Sequence, residues 1–176
     1  MDEAELSRRF PTGDEECLEE AVARYGQALL RYCHHILCDY HEAQDAVQTA
    51  LLRAWNRRSR FRAGTNLEAW LYKLAYHACI DLLRQRRRQL FTPPPPPARG
   101  PDYIGPELRE ALGHLTAQER GLVFGRVMEG RHYDELARIY GQSAATLRKR
   151  YERARGKLAR ALTELSDTET EKEVSP

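Results

Sequence analysis

"YDELARIYGQSAATLRKRYERARGKLARAL", residues 133–162, decides the fold of this chain. Leu136, Ala137 and Tyr140 recur at helical spacing and stop at Gly141 and Gln142, a pair suited to a tight turn. Ser143 then offers a side-chain oxygen to the open N–H groups of a second helix, in which Leu147, Tyr151, Ala154 and Leu158 share one face. Arg148, Lys149, Glu152, Arg153 and Arg155 take the other face. Two helices meeting at a glycine turn, the second rich in arginine, make a helix-turn-helix whose second helix can enter a major groove and meet base edges or phosphates. On a lone helix such a face is as readily a solvated surface; the preceding helix and the turn favour binding.

The pattern extends upstream. Thr116 with Glu119 forms a capping box, and Pro106 suits a first helical position, so a small helical domain spans residues 106–163. Before it, five prolines at 93–97, with Gly100, Pro101 and Gly105, forbid a continuing helix and read as a polyproline spacer over residues 89–105. Upstream again, Thr65 with Glu68 reads as a capping box, after which Leu67, Leu71, Leu74, Ala75, Ala78 and Leu82 line one helix face. Lys73, His77, Asp81 and Arg84 lie on a different, mostly basic face. Asp39 with Glu42 opens a helix to about residue 57, and a further helix covers residue 15 to about 37. No stretch alternates with period two. The fold class is all-α: two small helical domains, 15–88 and 106–163, joined by a proline-rich linker. An acidic extension, 1–14, and an acidic tail, 164–176, are both expected to be mobile, and the tail, too poor in apolar residues to fold alone, to be disordered.

Composition narrows the function. The 176 residues, 41% hydrophobic, cannot fill a large enzyme core, and GxxxxGK[ST], HExxH and GxSxG are all lacking, so neither an enzyme nor a cofactor is expected. No apolar run reaches the roughly 18 residues of a membrane span, and the acidic start is unlike a secretory signal, so a cytoplasmic protein without membrane insertion is expected. The net charge of +2 conceals two basic blocks: ten Lys and Arg against two acids over residues 53–88, and seven against one over residues 143–160. Cys17, Cys33, Cys38 and Cys79 contain no CxxC pair, which fits reduced thiols. In "CHHILCDYH", Cys33, His34, Cys38 and His41 are candidate metal ligands for a metal- or redox-responsive regulator. Lacking a second ligand pair, they are preferred as a helix end with buried cysteines and exposed histidines.

"HEAQDAVQTALLRAW" followed by "FRAGTNLEAWLYKLAYHACIDLLRQRRR" resembles region 2 of the extracytoplasmic-function sigma factors, and "LTAQERGLVFGRVMEGRHYDELARIYGQSAATLRKRYERARGKL" resembles their region 4. The two segments stand in the family's order, with its linker between them. The resemblance implies a bacterial initiation factor that binds core RNA polymerase and directs it to promoter DNA, with an anti-sigma factor as a further candidate partner. Matched by position, Asp45, Gln48, Leu51, Leu52 and Trp55 would dock on the polymerase. Arg62, Thr65, Asn66, Trp70, Lys73, His77 and Arg84 would meet the minus-ten element, where a base must leave its stack to be read. Ser143, Thr146, Arg148, Lys149 and Arg153 would face the minus-thirty-five element. Gln44 stands where the family usually has Glu, and His77 where it usually has Asn, which changes the donor and acceptor geometry offered to the minus-ten strand. A different reading, a helix-turn-helix regulator that dimerises through residues 15–88, predicts symmetric operator binding without polymerase.

Overall fold

The computed structural model describes residues 1–88 and 104–174, with side chains through 166. The first half holds α1 (Glu3–Arg9), α2 (Glu15–Leu37), α3 (Tyr40–Asn56), a single 3-10 turn at Arg58–Arg60, and α4 (Leu67–Arg88). The second holds α5 (Pro106–Gly113), α6 (Ala117–Val127), α7 (Tyr133–Tyr140) and α8 (Ala144–Val174). Among the described residues there is no strand, as expected for an all-α chain. The spacer expected at 89–105 lies outside the described residues as far as 103.

Local chemistry explains the boundaries. Helix α2 stops where Cys38 takes a left-handed backbone (φ +56°) and returns its N–H to the His34 carbonyl at 2.7 Å. Asp39 then caps α3, its carboxylate accepting the Glu42 N–H at 2.9 Å. The inward face of α3 is Ala43, Ala46, Val47, Ala50 and Ala54, all buried, and such small side chains let α3 lie close between α2 and α4. Two ion pairs tie α3 to α4: Arg53 with Asp81 at 2.9 Å and Arg86 with Glu42 at 2.6 Å.

Three sequence expectations need correction. The stretch 1–14 is no mobile extension: Asp2 caps α1, and Leu6 and Phe10 are 0% exposed in the shared core. Burying two such side chains contributes about 3–6 kcal/mol, enough to hold a seven-residue helix that could not persist alone. At α4 the cap is Asn66, whose Oδ1 accepts the Ala69 N–H at 2.6 Å, and not Thr65, whose hydroxyl donates to the Arg62 carbonyl at 2.7 Å. The acidic tail continues α8 to Val174, because no proline or glycine interrupts residues 157–174 and extending a formed helix costs little.

In the second half, Thr116 and Glu119 form the expected reciprocal capping box. Glu119 also takes the Lys157 ammonium of α8 at 2.8 Å. Burial pushes the Glu119 carboxyl up, but Lys157 and the Thr116 N–H outweigh it and hold the group below its usual range. Gly141 closes α7 at φ +65°, the backbone a glycine adopts without penalty, and Ser143 caps α8 by accepting the Thr146 N–H at 3.2 Å.

The halves meet along a seam of α2 and α4 against α6 and α7. Tyr32 and Tyr140 share a hydroxyl hydrogen bond at 2.9 Å, and Tyr76 stands edge-on to Tyr140. Arg120 donates to the Ile36 carbonyl at 2.6 Å, and the His35 ring lies 4.3 Å from that of Phe124. Gly121 permits this approach, since a Cβ there would stand 2.5 Å from the Tyr140 hydroxyl. At the centre Arg131, 9% exposed, donates to Glu129 at 2.6 Å and Glu68 at 2.7 Å with its guanidinium over the Tyr72 ring, while the Tyr72 hydroxyl donates to Glu129 at 2.5 Å.

Candidate nucleic-acid and polymerase surfaces

Because the alanine face of α3 turns inward, Asp45, Gln48 and Leu52 stand exposed on its outer side, with Leu51 and Trp55 half-buried beside them. Leu52 is 54% exposed, a large apolar side chain between polar neighbours. Arg58 covers Trp55, its guanidinium 4.0 Å from the ring and bonded to the Trp55 carbonyl at 2.9 Å. The sequence does not announce that lid. The five candidate polymerase contacts thus lie on one helix, two turns of which present the exposed members together.

The loop 62–67 follows Phe61 and enters α4. Gly64 supplies a left-handed residue (φ +75°), and Arg62, Thr65 and Asn66 are all exposed. Trp70 is half-buried, its ring 5.1 Å from Phe61 and 6.2 Å from Phe10, so it braces the loop as well as edging the surface. Further along α4, Lys73, His77 and Arg84 are exposed at intervals that place them down one side of the helix. The contributions of Ser7 and Phe10 to this site escape a sequence reading that leaves residues 1–14 mobile.

On α8, Ser143, Thr146, Arg148, Lys149 and Arg153 are exposed, while Leu147 and Ala154 are buried. Arg148 stands 5.3 Å from the Tyr133 ring, which steers its side chain from behind. Arg153 donates to the Lys149 carbonyl one turn back at 3.3 Å, and Arg155 pairs with Glu152 at 3.0 Å. Between the end of α4 and the start of α6 lies an open cleft of about 910 Å³ whose lining includes Arg84, Arg87, Arg120 and Arg150. Of the second basic block only Arg150 reaches it, so Arg148, Lys149 and Arg153 look elsewhere.

The Cys and His run separates. Cys33 is buried beside Cys79, and their thiol contact together with burial raises the Cys79 thiol well above its ordinary value, which keeps it protonated and inert. His34 and His35 are buried rather than exposed, correcting the expectation, because the seam covers this end of α2. The His35 Nδ1 bonds the Arg31 carbonyl at 2.9 Å. Cys38 is half-buried and His41 exposed. Among the described residues no group of three or more His, Cys, Asp or Glu is placed to hold a metal ion. Nor, among them, is any helix long and apolar enough to cross a membrane.

Comparison with known proteins follows this geometry. Residues 21–89 match the Sigma-70 region 2 family and residues 106–158 match Sigma-70, region 4. The chain is 27% identical over 165 residues to the ECF RNA polymerase sigma factor SigM of Mycobacterium tuberculosis, covering 91% of this chain and 84% of the relative. It is 28% identical over 181 residues to the RNA polymerase sigma-H factor of Pseudomonas aeruginosa, covering 92% and 94%. Among solved structures, the sigma factor RpoE in complex with the anti-sigma factor NepR from Bartonella quintana superposes with a TM-score of 0.70 at 25% identity, over 82% of this chain and 96% of that one. CnrH in complex with the cytosolic domain of CnrY shares the fold, with a TM-score of 0.73 at 23% identity over 92% and 97%. Two family segments in order, on two helical domains that present separate basic faces, place this chain in the sigma-70 family, among the extracytoplasmic-function RNA polymerase sigma factors.

Proposed function

We propose that the outer face of α3 docks on core RNA polymerase, that residues 15–88 recognise and melt the minus-ten element, and that residues 106–163 recognise the minus-thirty-five element through α8. The observation that carries this reading is the exposed row Arg148, Lys149 and Arg153 on a helix set by the Gly141 turn and the Ser143 cap. Arg62, Asn66, Lys73 and His77 form the corresponding strand-facing set in the first half. The chemistry of initiation belongs to the polymerase, so the factor acts where the polymerase does, in the cytoplasm.

The closed seam bears on how this works. Two promoter elements about two duplex turns apart lie roughly 70 Å from one another, at about 34 Å per turn. With the halves packed along the seam, a compact chain with a radius of gyration of about 16 Å is too small for its two reading faces to reach both at once. Initiation therefore requires the halves to part, and the seventeen residues 89–105, at about 3.1 Å each in polyproline form, reach roughly 50 Å. An anti-sigma factor, the class of partner bound to the RpoE relative, would act on this chain by keeping the closed form.

Transcription by core polymerase with the purified chain on genomic fragments, with start sites mapped, tests the whole reading. The expected result is a set of starts sharing two upstream elements. Arg148→Ala should weaken preference at one upstream base by about 1–3 kcal/mol. Tight binding to a symmetric operator by the chain alone, with no polymerase-dependent starts, would favour the stand-alone regulator instead.

A further inference from the structure

The loop 62–67 is tied at several points. The Arg62 carbonyl accepts both the Thr65 N–H, at 3.1 Å, and the Thr65 hydroxyl, at 2.7 Å. Asn66 spends its Oδ1 on the α4 cap, so its Nδ2 amide is the donor left facing away from the helix. The Thr65 carbonyl is taken from outside the loop: Ser7 of α1 donates its hydroxyl to it at 2.5 Å across 58 residues of sequence. Three residues on, Phe10 places its ring 6.2 Å from Phe61 and 6.2 Å from Trp70, the aromatics that flank the loop on either side. Between α1 and the loop lies an open recess of about 430 Å³ lined by Glu3, Ala4, Ser7, Arg8, Gly64 and Thr65.

We propose that α1 is a working wall of the base-reading loop, with Ser7 a positioning residue that fixes the Thr65 carbonyl and so holds the Asn66 amide outward beside this recess. The inference rests on reading residues 62–67 as the minus-ten contact. Its physical basis is pre-organisation. A loop with a glycine at positive φ swivels unless tied, and the cost of ordering it would otherwise be taken from binding. Losing the tie affects only the base the loop faces, whereas losing general stability affects every promoter position alike.

The test uses holoenzyme assembled from core polymerase and the full chain, on a promoter library randomised across the minus-ten element, with transcripts sequenced. Asn66→Ala marks the position the loop reads. Ser7→Ala should reduce preference at that same position about tenfold, the equivalent of one part-buried hydrogen bond. Upstream-element preference should be unchanged, and Ser7→Thr, which keeps the hydroxyl, should restore it. In the free chain, Ser7→Ala should also speed hydrogen exchange of the amides at 62–67, whereas Thr116→Ala, with a similar loss of about 2–4 °C in melting temperature, should not. If Asn66→Ala flattens a position and Ser7→Ala leaves it at the parental value, the role of α1 is refuted and the loop reading stands. If Asn66→Ala changes no position, both fall. A loss spread equally over all positions, or unchanged exchange at 62–67, would reduce Ser7 to an ordinary core contact.

Discussion

Replacing Arg131 with alanine should open the molecule. Its guanidinium, nearly enclosed, bridges Glu129 of the second half and Glu68 of the first and stacks over Tyr72. Removing it leaves two carboxylates facing each other at the centre of the seam. Breaking a buried pair costs about 3–5 kcal/mol, and the lower end applies because the Glu68 side chain keeps 28% exposure and can recover water. About 3 kcal/mol shifts the balance of closed and parted forms on the order of a hundredfold. Small-angle X-ray scattering reads this directly: a compact chain of 176 residues has a radius of gyration of about 16 Å, and the parted form must exceed it. Helical content by circular dichroism should be unchanged, since the Arg131 side chain caps neither α6 nor α7 and its backbone N–H, which bonds the Gly125 carbonyl of α6 at 2.9 Å, is kept in alanine. Arg131→Lys should not rescue, because an ammonium cannot fork between two carboxylates and stack on a ring together. A variant with the parental radius and the parental melting curve would refute the argument, and with it the idea that this arginine latches the halves.

Gly121→Ala should open the same seam by steric means, its Cβ meeting the Tyr140 hydroxyl at 2.5 Å and Ile36 and Tyr32 at 3.2 Å, and scattering again reads the outcome. Thr116→Ala removes half of the α6 capping box and should cost about 1 kcal/mol, seen as a melting temperature lower by about 2–4 °C. His35 gives the seam a pH dependence. Burial holds its imidazole below the usual value of 6.5, with the Arg31 carbonyl and the Glu129 charge opposing that shift in part, so the neutral ring is the one that stacks on Phe124. Its stabilising contribution is complete above about pH 6.5 and is lost as pH falls below it; thermal melting from about pH 7 to about 5 should show a decline that His35→Gln flattens.

Sequence patterning places α3, α6 and α8 within a residue or two at their starts, because each carries a local start signal: Asp39 with Glu42, Thr116 with Glu119, Ser143 after Gly141. It misses α1, since seven residues with only Leu6 and, just beyond, Phe10 as apolar anchors give no periodic signal; the helix exists through contacts with Phe61 and Trp70. It takes Thr65 for a cap in place of Asn66, as both residue types suit the role and only the backbone at Gly64 decides between them. The exposed faces of α4 and α8 are legible because their buried partners define them. The seam is not. Tyr140 reads as an ordinary inward residue of the helix-turn-helix, and its hydroxyl partner Tyr32 lies 108 residues away.

The composition of that seam governs how the chain behaves once open. Two halves joined by leucines would close more tightly, but each parting would bare an apolar patch of the kind that drives clumping. Here the separating surfaces carry phenol hydroxyls, two glutamates and two arginines around Tyr32, Tyr72, Tyr76 and Tyr140, groups that water accepts as readily as a partner does. Parting thus bares a mixed surface, since Ile36, Leu122, Phe124 and Leu136, buried in one cluster that runs through both halves, separate along with these groups. The polar share lessens the tendency of the open chain to clump, and the apolar share supplies the pull that shuts it again.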